Sequence, residues 1–378
     1  MPRPRKDGTH LPAVRKTGVG RRFTHKTTLS RSEIIAIELK RLLAEGHYQA
    51  GDLFPSQNEL ARMFATSTVT SREAVLLLVK EGLLERRFGS GTYATGRTPE
   101  RFVAVVTELD ISHPAASPAF LVQMQGVRRH LAEAGYQTRV YIGHRAPTSM
   151  GEPDRISSWE FWHDLEAKRI IGLVLVGTEP TLAPQAVGDC DIPFIDGTRI
   201  DGIPFWSHDG LIECGLKALM DRGCRQIACV AGGKTTTSSY LDRFRREAVR
   251  LGIDIHPEWL VSVPYLHEHG DGANAFKTLW ESRPVKPDGL LVLDDMLYHD
   301  MAPFLLMNGI DVPRDLVVAS HANLHDPHPF VPDPIRLTLD MDAVGQAMAR
   351  NLINRMQDPD APPVGIPVPI RVIEPAAE

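Results

Sequence analysis

Apolar residues recur at helical spacing three times near the N-terminus. They then give way to short, almost wholly apolar runs. Ile35, Leu39 and Leu42, with Ile34 and Leu43 beside them, predict a helix from about Ser30 to Glu45. Ser30 and Glu33 stand three apart at its start, the spacing of a capping box, and Gly46 ends it. Gly51 and Pro55 punctuate a turn, and Ser56 and Glu59 repeat the capping box. A short helix over Gln57–Phe64 follows, with Leu60 and Phe64 facing inward. Ser67 caps a third helix that runs to about Glu81. On it Ser71, Ala74, Val75 and Leu78 fall at i, i+3, i+4 and i+7, one buried stripe. Gly82 stops this helix, and Leu83–Arg87 and Thr92–Ala94 read as short strands around Phe88-Gly89-Ser90-Gly91.

Beyond residue 97 the pattern changes to strands alternating with helices. The predicted strands are Phe102–Thr107, Gln137–Ile142, Ile170–Val176, Phe194–Asp196, Gln226–Val230, Gly289–Leu293 and Val317–Ala319. Helices fall between them, among them Phe120–Glu133 and Gly210–Asp221. Several strands are nearly all apolar, as in a parallel sheet covered on both faces. The fold class is therefore α/β behind a helical head. The plan is a disordered basic tail over 1–27, a head over 28–97, a linker over 98–101 and a two-lobed domain over 102–378.

Composition adds one asymmetry. The 378-residue chain has a net charge of −5, but residues 1–97 hold 17 Lys+Arg against 9 Asp+Glu, net +8, and the rest is net −13. A basic head on an acidic body fits a DNA-binding end, although eight of those 17 basic residues lie in residues 1–26 and would equally serve a solubilising tail. No run approaches the ~18 apolar residues of a membrane span. The basic N-terminus has no apolar stretch behind it, unlike a secretory signal. Cys190, Cys214, Cys224 and Cys229 show no CxxC spacing and read as reduced thiols, so a cytoplasmic location is expected.

The buried stripe of the third helix fixes which side faces out. That side carries Thr68, Thr70 and Arg72, with Ser67 at the cap and Ser56 and Gln57 opening the helix before it. Short hydroxyls and helix N-terminal amides suit phosphate, and Arg72 would clamp phosphate or reach a guanine edge. Arg86 and Arg87 precede the hairpin tip, where Gly89, Ser90 and Gly91 would let the backbone approach a phosphate or the minor groove. For any one of these residues a solvated surface face is the simpler reading; the set together is specific.

Residues 30–95 resemble the winged helix-turn-helix of the GntR family, through GDLFPSQNELA, the Ser67-to-Val75 segment and EGLLERRFGSGTY. After the capping serine the family usually has arginine, and this chain has Thr68; Arg72 falls on the family's other recurring arginine. Residues 102–376 resemble the ligand-sensing domain of LacI-type regulators, which is related to periplasmic sugar-binding proteins. The landmarks are RFVAVV, LAEAGY, IIGLVLVG, IPFIDGTRIDG, RQIACVAGG, GLLVLDDM and GIDVPRDLVVAS. This resemblance implies two Rossmann-like lobes with a ligand cleft between them. The chain would cross between lobes near Ser207, Leu337 and Met356.

Carried over position by position, the resemblance implies an effector site built from Thr107, Phe120, Glu179, Tyr240, Asp294, Asp295, His321 and Asp340. Tyr240 stands where the family has an arginine. Ser320-His321-Ala322-Asn323 occupies the stretch of a family aspartate. The expected function is a ligand-responsive transcriptional regulator, a repressor, whose affinity for double-stranded operator DNA changes when a sugar or related polyol binds the cleft. A homodimer on a two-fold related operator is expected, with no cofactor, no metal and no membrane partner.

Three other constellations weigh less. Gly232-Gly233-Lys234-Thr235 follows a strand, but a phosphate-binding loop needs a further glycine where Ala228 stands. His321, His325 and His328 with Asp326 read as a polar, proline-rich loop rather than a metal site. Ser207-His208-Asp209 are sequence neighbours, whereas a nucleophilic triad is assembled from distant positions. An α/β enzyme and a solute-binding protein with an N-terminal extension are the alternative classes. A turnover assay would identify the first and cell fractionation the second.

Overall fold

The computed structural model describes residues 30–97, 100–107, 109–142, 156, 158–177, 192–232, 239–264, 268–324 and 329–375. The basic tail 1–27, Glu179, the Gly233-Lys234-Thr235 segment and the His325–His328 stretch lie outside them. The chain divides into two compact units. One holds the described part of Met1–Phe102 together with Ser158–Ile171, and the other the described parts of Val103–Ser157 and Gly172–Glu378.

The first unit begins with α1 (Arg31–Ala44), α2 (Gln57–Met63) and α3 (Thr68–Lys80), followed by β1 (Leu84–Arg87) and β2 (Gly91–Ala94). Both capping boxes form. Ser30 N–H donates to Glu33 Oε2 at 2.7 Å, and Ser56 N–H donates to Glu59 Oε2 at 2.8 Å. The strands pair antiparallel, Leu84 opposite Ala94 and Arg87 opposite Gly91. Ile35, Leu39 and Leu42 of α1, Leu60 of α2, and Ala74, Val75 and Leu78 of α3 close around Phe54 and Leu84. Each such large apolar side chain contributes about 1.5–3 kcal/mol on full burial. A helix over Trp159–Glu166 joins this unit and packs on α1. Asp164 on it is buried and pairs with Arg169 at 2.8 Å.

In the second unit, one sheet has the order β4-β3-β5-β6, from β3 (Phe102–Thr107), β4 (Thr138–Ile142), β5 (Ile170–Val176) and β6 (Phe194–Ile195). The pairs β3/β4 and β5/β6 are parallel. Helix α4 (Ala119–Glu133) follows β3; α5 is the Trp159–Glu166 helix already described. A small hairpin, β7 (Arg199–Ile200) and β8 (Ile203–Pro204), precedes α6 (His208–Asp221). The second sheet is built from β9 (Ile227–Gly232), β10 (Leu260–Val263), β11 (Gly289–Val292), β12 (Val317–Asn323), β13 (Ile335–Leu339) and β14 (Arg371–Ile373). Its order is β10-β9-β11-β12-β13-β14, all parallel except the antiparallel edge strand β14.

Helices cover both faces of this second sheet. Leu211, Leu216 and Leu219 of α6 pack with Phe244 and Ala248 of α7 (Ser239–Arg250) on one side. Phe276 and Leu279 of α8 (Asp271–Glu281) pack with Tyr298, Met301 and Leu305 of α9 (Asp295–Met307) on the other. The near-continuous apolar strands β9 and β11 are the sequence record of this double cover.

The chain passes from the first sheet to the second at Ser207, the cap of α6. It returns at Asp340, the cap of α10 (Met341–Gln357), which packs along α4. It leaves again after Gln357 to reach β14. Sequence reading stopped the penultimate long strand at Ala319, but β12 continues to Asn323. The pairs His321–Leu337, Ala322–Thr338 and Asn323–Leu339 hold its polar end in the ladder. Strands β10, β13 and β14 were not anticipated; β14 is an exposed edge whose pairing is purely tertiary.

Candidate DNA-contacting face and effector cleft

On α3 the buried positions are Ser71, Ala74, Val75 and Leu78, the stripe read from spacing. The exposed side therefore presents Thr68, Val69 and Arg72, with Ser67 at the cap. Ser67 Oγ accepts the Thr70 amide at 3.1 Å and lies 2.8 Å from Thr70 Oγ1, which fixes the first turn. Ser56 caps α2 in the same way and Gln57 follows it, half-buried.

At the wing, Gly89 and Gly91 take φ of +70° and +130°, backbone that favours glycine. A Cβ on Gly91 would also lie 2.9 Å from Leu53 Cδ1. Arg87 ion-pairs with Glu85 and lies 4.4 Å over the Tyr93 ring, whose hydroxyl is 2.6 Å from Ser90 Oγ. Arg86 is exposed and has no ion pair among the described residues. Sequence reasoning missed two apolar groups on this face. Val69 is 64% exposed on α3, and Phe88 at the wing tip is wholly exposed. The signal for Phe88 was its place between two arginines and a glycine turn.

The lobes of the second unit meet at a small pocket lined by Pro118, Ala119, Val122, Asp295, Asn323, Leu324 and Met341. Ser117 Oγ donates to Asp295 Oδ2 at 2.8 Å and Asn323 Nδ2 donates to the same oxygen at 2.7 Å. Asp295 begins α9 and Asn323 ends β12, both in the second-sheet lobe, and Ser117 lies just before α4, so the Ser117 bond crosses between the lobes. Asp294 caps α9 by accepting the Leu297 amide at 3.1 Å. Burial, and then the neighbouring Asp295 charge, push its carboxyl well above the usual carboxylate range.

A second cluster of rings sits in the lobe of the second sheet. Tyr240, on the first turn of α7, places its hydroxyl 2.9 Å from His208 Nε2. His208 lies against Trp206 with centroids 3.9 Å apart, and Trp206 stacks on His321 at 5.7 Å and 18°. Burial first, then the His321, Arg243 and Arg199 charges, push His208 down to about 3, so it is neutral at physiological pH.

The structure thus brings the expected effector residues into separate places. Asp295 lines the pocket, while Tyr240 and His321 belong to the ring cluster. Asp294 and Asp340 serve as helix caps, Asp340 accepting the Ala343 amide at 3.0 Å. Thr107 is fully buried and accepts the Leu109 amide at 3.3 Å. Phe120 is half-buried beside Gly177. Glu179 lies outside the described residues. Ser117, Asn323, Trp206 and His208 are the groups at these places that the sequence did not single out for a ligand. His321 proves to be a strand residue rather than part of a loop.

Among the described residues no group of three or more His, Cys, Asp or Glu is placed to hold a metal ion, and no helix is long and apolar enough to cross a membrane.

Residues 31–94 match the model of the bacterial regulatory proteins of the gntR family, and residues 216–374 match that of a periplasmic binding protein-like domain. A probable fructoselysine utilization operon transcriptional repressor of Escherichia coli (strain K12) is 32% identical over 88 residues, 22% of this chain. The match spans only about a third of that relative, 36% of its length. The HTH-type transcriptional regulator CelR of Thermobifida fusca is 24% identical over 305 residues, covering 78% of this chain and 85% of the relative. Among solved structures, a CelR–cellobiose complex aligns over 85% of this chain and 99% of its own, with a TM-score of 0.59 and 17% identity. At that identity the likeness is one of fold.

Proposed function

We propose that this chain, which joins a GntR-type helix-turn-helix head to a LacI-type, periplasmic-binding-protein-like domain, is a ligand-responsive repressor of transcription. The observation that carries this reading is the α3 face. Its inner stripe is committed to the head's core, while Thr68, Val69 and Arg72 stand exposed beside a glycine-tipped wing. A helix so presented fits the major groove of B-form DNA.

In this reading Ser67, Thr68 and Thr70, with Ser56 and Gln57 at the start of the preceding helix, meet phosphate oxygens. Arg72 meets a base edge or a phosphate, and the Val69 methyls suit the methyl of thymine. The wing, Arg86, Arg87, Gly89, Ser90 and Gly91, tracks the adjacent groove with Phe88 at its tip. Arg87 must give up its Glu85 partner to do so, which makes Arg86 the readier contact. A homodimer would present two such helices to a two-fold operator.

The effector is proposed to bind where the lobes meet. Asp295 and Asn323 supply polar groups there; the ring cluster of Trp206, His208, Tyr240 and His321 is a separate candidate surface for stacking. Relatives and similar structures carry cellobiose and arabinose in their names, which supports a sugar or related polyol. Ligand bound across the lobes would shift the population between DNA-competent and DNA-incompetent arrangements. The domain plan of 28–97 for the reader and 102–378 for the sensor belongs to this proposal.

The test is fluorescence anisotropy of the full chain on DNA enriched from a random library. A selected sequence whose binding weakens steeply with salt supports the reading. Absence of any selected sequence, with equal binding to all DNA, would overturn it.

A further inference from the structure

The pocket between the lobes has a one-sided chemistry. Pro118, Ala119, Val122, Leu324 and Met341 form apolar walls, and among the described residues the polar side chains lining it are Asp295 and Asn323. These are 3% and 8% exposed. Asn323 spends its amide nitrogen on Asp295 Oδ2, which leaves Asn323 Oδ1 as an acceptor with no hydrogen-bond partner among the described residues. A buried acceptor left unmade costs about 1–3 kcal/mol, so such a group is normally met by a ligand or a water. Asp294 and Asp295 are consecutive, and neither forms an ion pair among the described residues. Asp294 is occupied as the cap of α9, so Asp295 is the carboxylate left to the pocket.

We infer that this pocket recognises a primary ammonium group of the effector, so that the ligand is an amino sugar or aminated polyol rather than a neutral sugar. The inference rests on the reading of the cleft as the effector site. An ammonium donates up to three hydrogen bonds and accepts none. It therefore answers both Asn323 Oδ1 and the Asp295 carboxylate, and it supplies the charge that a buried carboxylate lacks. A hydroxyl brings one proton and no charge. The adjoining ligand carbons would rest on Pro118, Val122 and Met341. The raised Asp294 carboxyl agrees with an excess of negative charge here, because burial and Asp295 act on it together. Asn323 is then the discriminating residue, set by its partner Asp295 to offer an oxygen rather than a nitrogen.

Thermal melting of the full chain at neutral pH tests this with matched probes. These are D-glucosamine against D-glucose, D-galactosamine against D-galactose, and ethylammonium chloride against sodium chloride at equal ionic strength. The amines are expected to raise the melting temperature by about 2–4 °C over their twins at concentrations near tenfold the dissociation constant. Asn323→Leu should abolish that difference while retaining native circular dichroism; if it does not fold, Asn323→Ala carries the test. Equal or larger shifts from the neutral sugars would overturn the ammonium assignment and leave the cleft reading standing. So would an amine shift that survives in the Asn323 variant. Silence from every probe, ethylammonium included, also overturns the assignment, since that probe needs only the subsite. The cleft reading itself falls separately, if a ligand that stabilises the protein leaves DNA affinity unchanged.

Discussion

Replacing Gly345 by alanine sets two effects of opposite sign against each other. Gly345 lies in α10 where that helix crosses α4. A Cβ built there would sit 2.2 Å from the Gln123 carbonyl oxygen and 2.9 Å from the Val127 nitrogen. Both are main-chain atoms of a helix and have no rotamer to escape into. An ordinary carbon–oxygen contact is about 3.3 Å, so α10 must retreat by roughly 1 Å. Gly126 makes the reciprocal approach, its Cβ position 2.7 Å from the Asp342 carbonyl oxygen, so neither helix can rotate to make room. Helix propensity alone favours alanine by about 1 kcal/mol. The retreat loosens the buried contacts of Val344, Met348 and Leu352, an overpacking cost of about 1–3 kcal/mol that belongs at its upper end for a backbone clash. The net expectation is destabilisation of about 1–2 kcal/mol. Met341 and Asp340 would move with the helix, so effector affinity should fall as well. Urea unfolding followed by tryptophan fluorescence measures the first effect. A Gly345→Ala protein as stable as the parent, or more so, would refute the close crossing.

Three further outcomes are expected. Arg72→Ala should weaken binding to the selected DNA by ~1–3 kcal/mol, with no change in melting temperature because Arg72 is exposed; unaltered affinity would remove it from the interface. Phe88→Ala should weaken DNA binding by roughly fivefold, on the order of 1 kcal/mol, again without loss of stability; equal affinity would place the wing tip outside the complex. His208 makes stability depend on pH with a definite sign. Its folded-state value is depressed to about 3 from an unfolded value near 6.5, so below that the unfolded chain takes up a proton that the folded chain refuses. Its contribution is complete above about 6.5 and falls by up to about 2 kcal/mol by pH 5. Asp294, whose value is raised, acts in the opposite sense over part of this range. The comparison is therefore between the parent and His208→Gln, whose difference should narrow as pH falls; a constant difference would show that His208 is not buried neutral.

The head was legible because its signals are local. Each helix start carries its cap within three residues, as at Ser30 with Glu33 and Ser56 with Glu59, and glycines mark the stops. The apolar runs of β3, β5, β9 and β11 likewise announced themselves, since both faces of each strand are covered. What stayed hidden depends on distant partners. The polar end of β12 is a strand only because β13 lies beside it. The α4–α10 crossing is visible as Gly126 and Gly345 only once the two helices are brought together. The pocket is the extreme case. Ser117 and Asp295 are 178 residues apart and Asp295 and Asn323 are 28 apart, so no spacing rule connects them. Family likeness pointed to Asp294 and Asp340 as well, and both prove to have helix caps to form.

The central claim is a coupling between the reader and the cleft. Its most direct measure is the affinity of the full chain for its selected DNA, by anisotropy at fixed salt, with and without a ligand that raises the melting temperature. The account predicts a change of about 5- to 150-fold in the DNA dissociation constant, together with the same factor in ligand affinity when DNA is present. A ligand that binds the cleft and leaves the DNA affinity unchanged would contradict it.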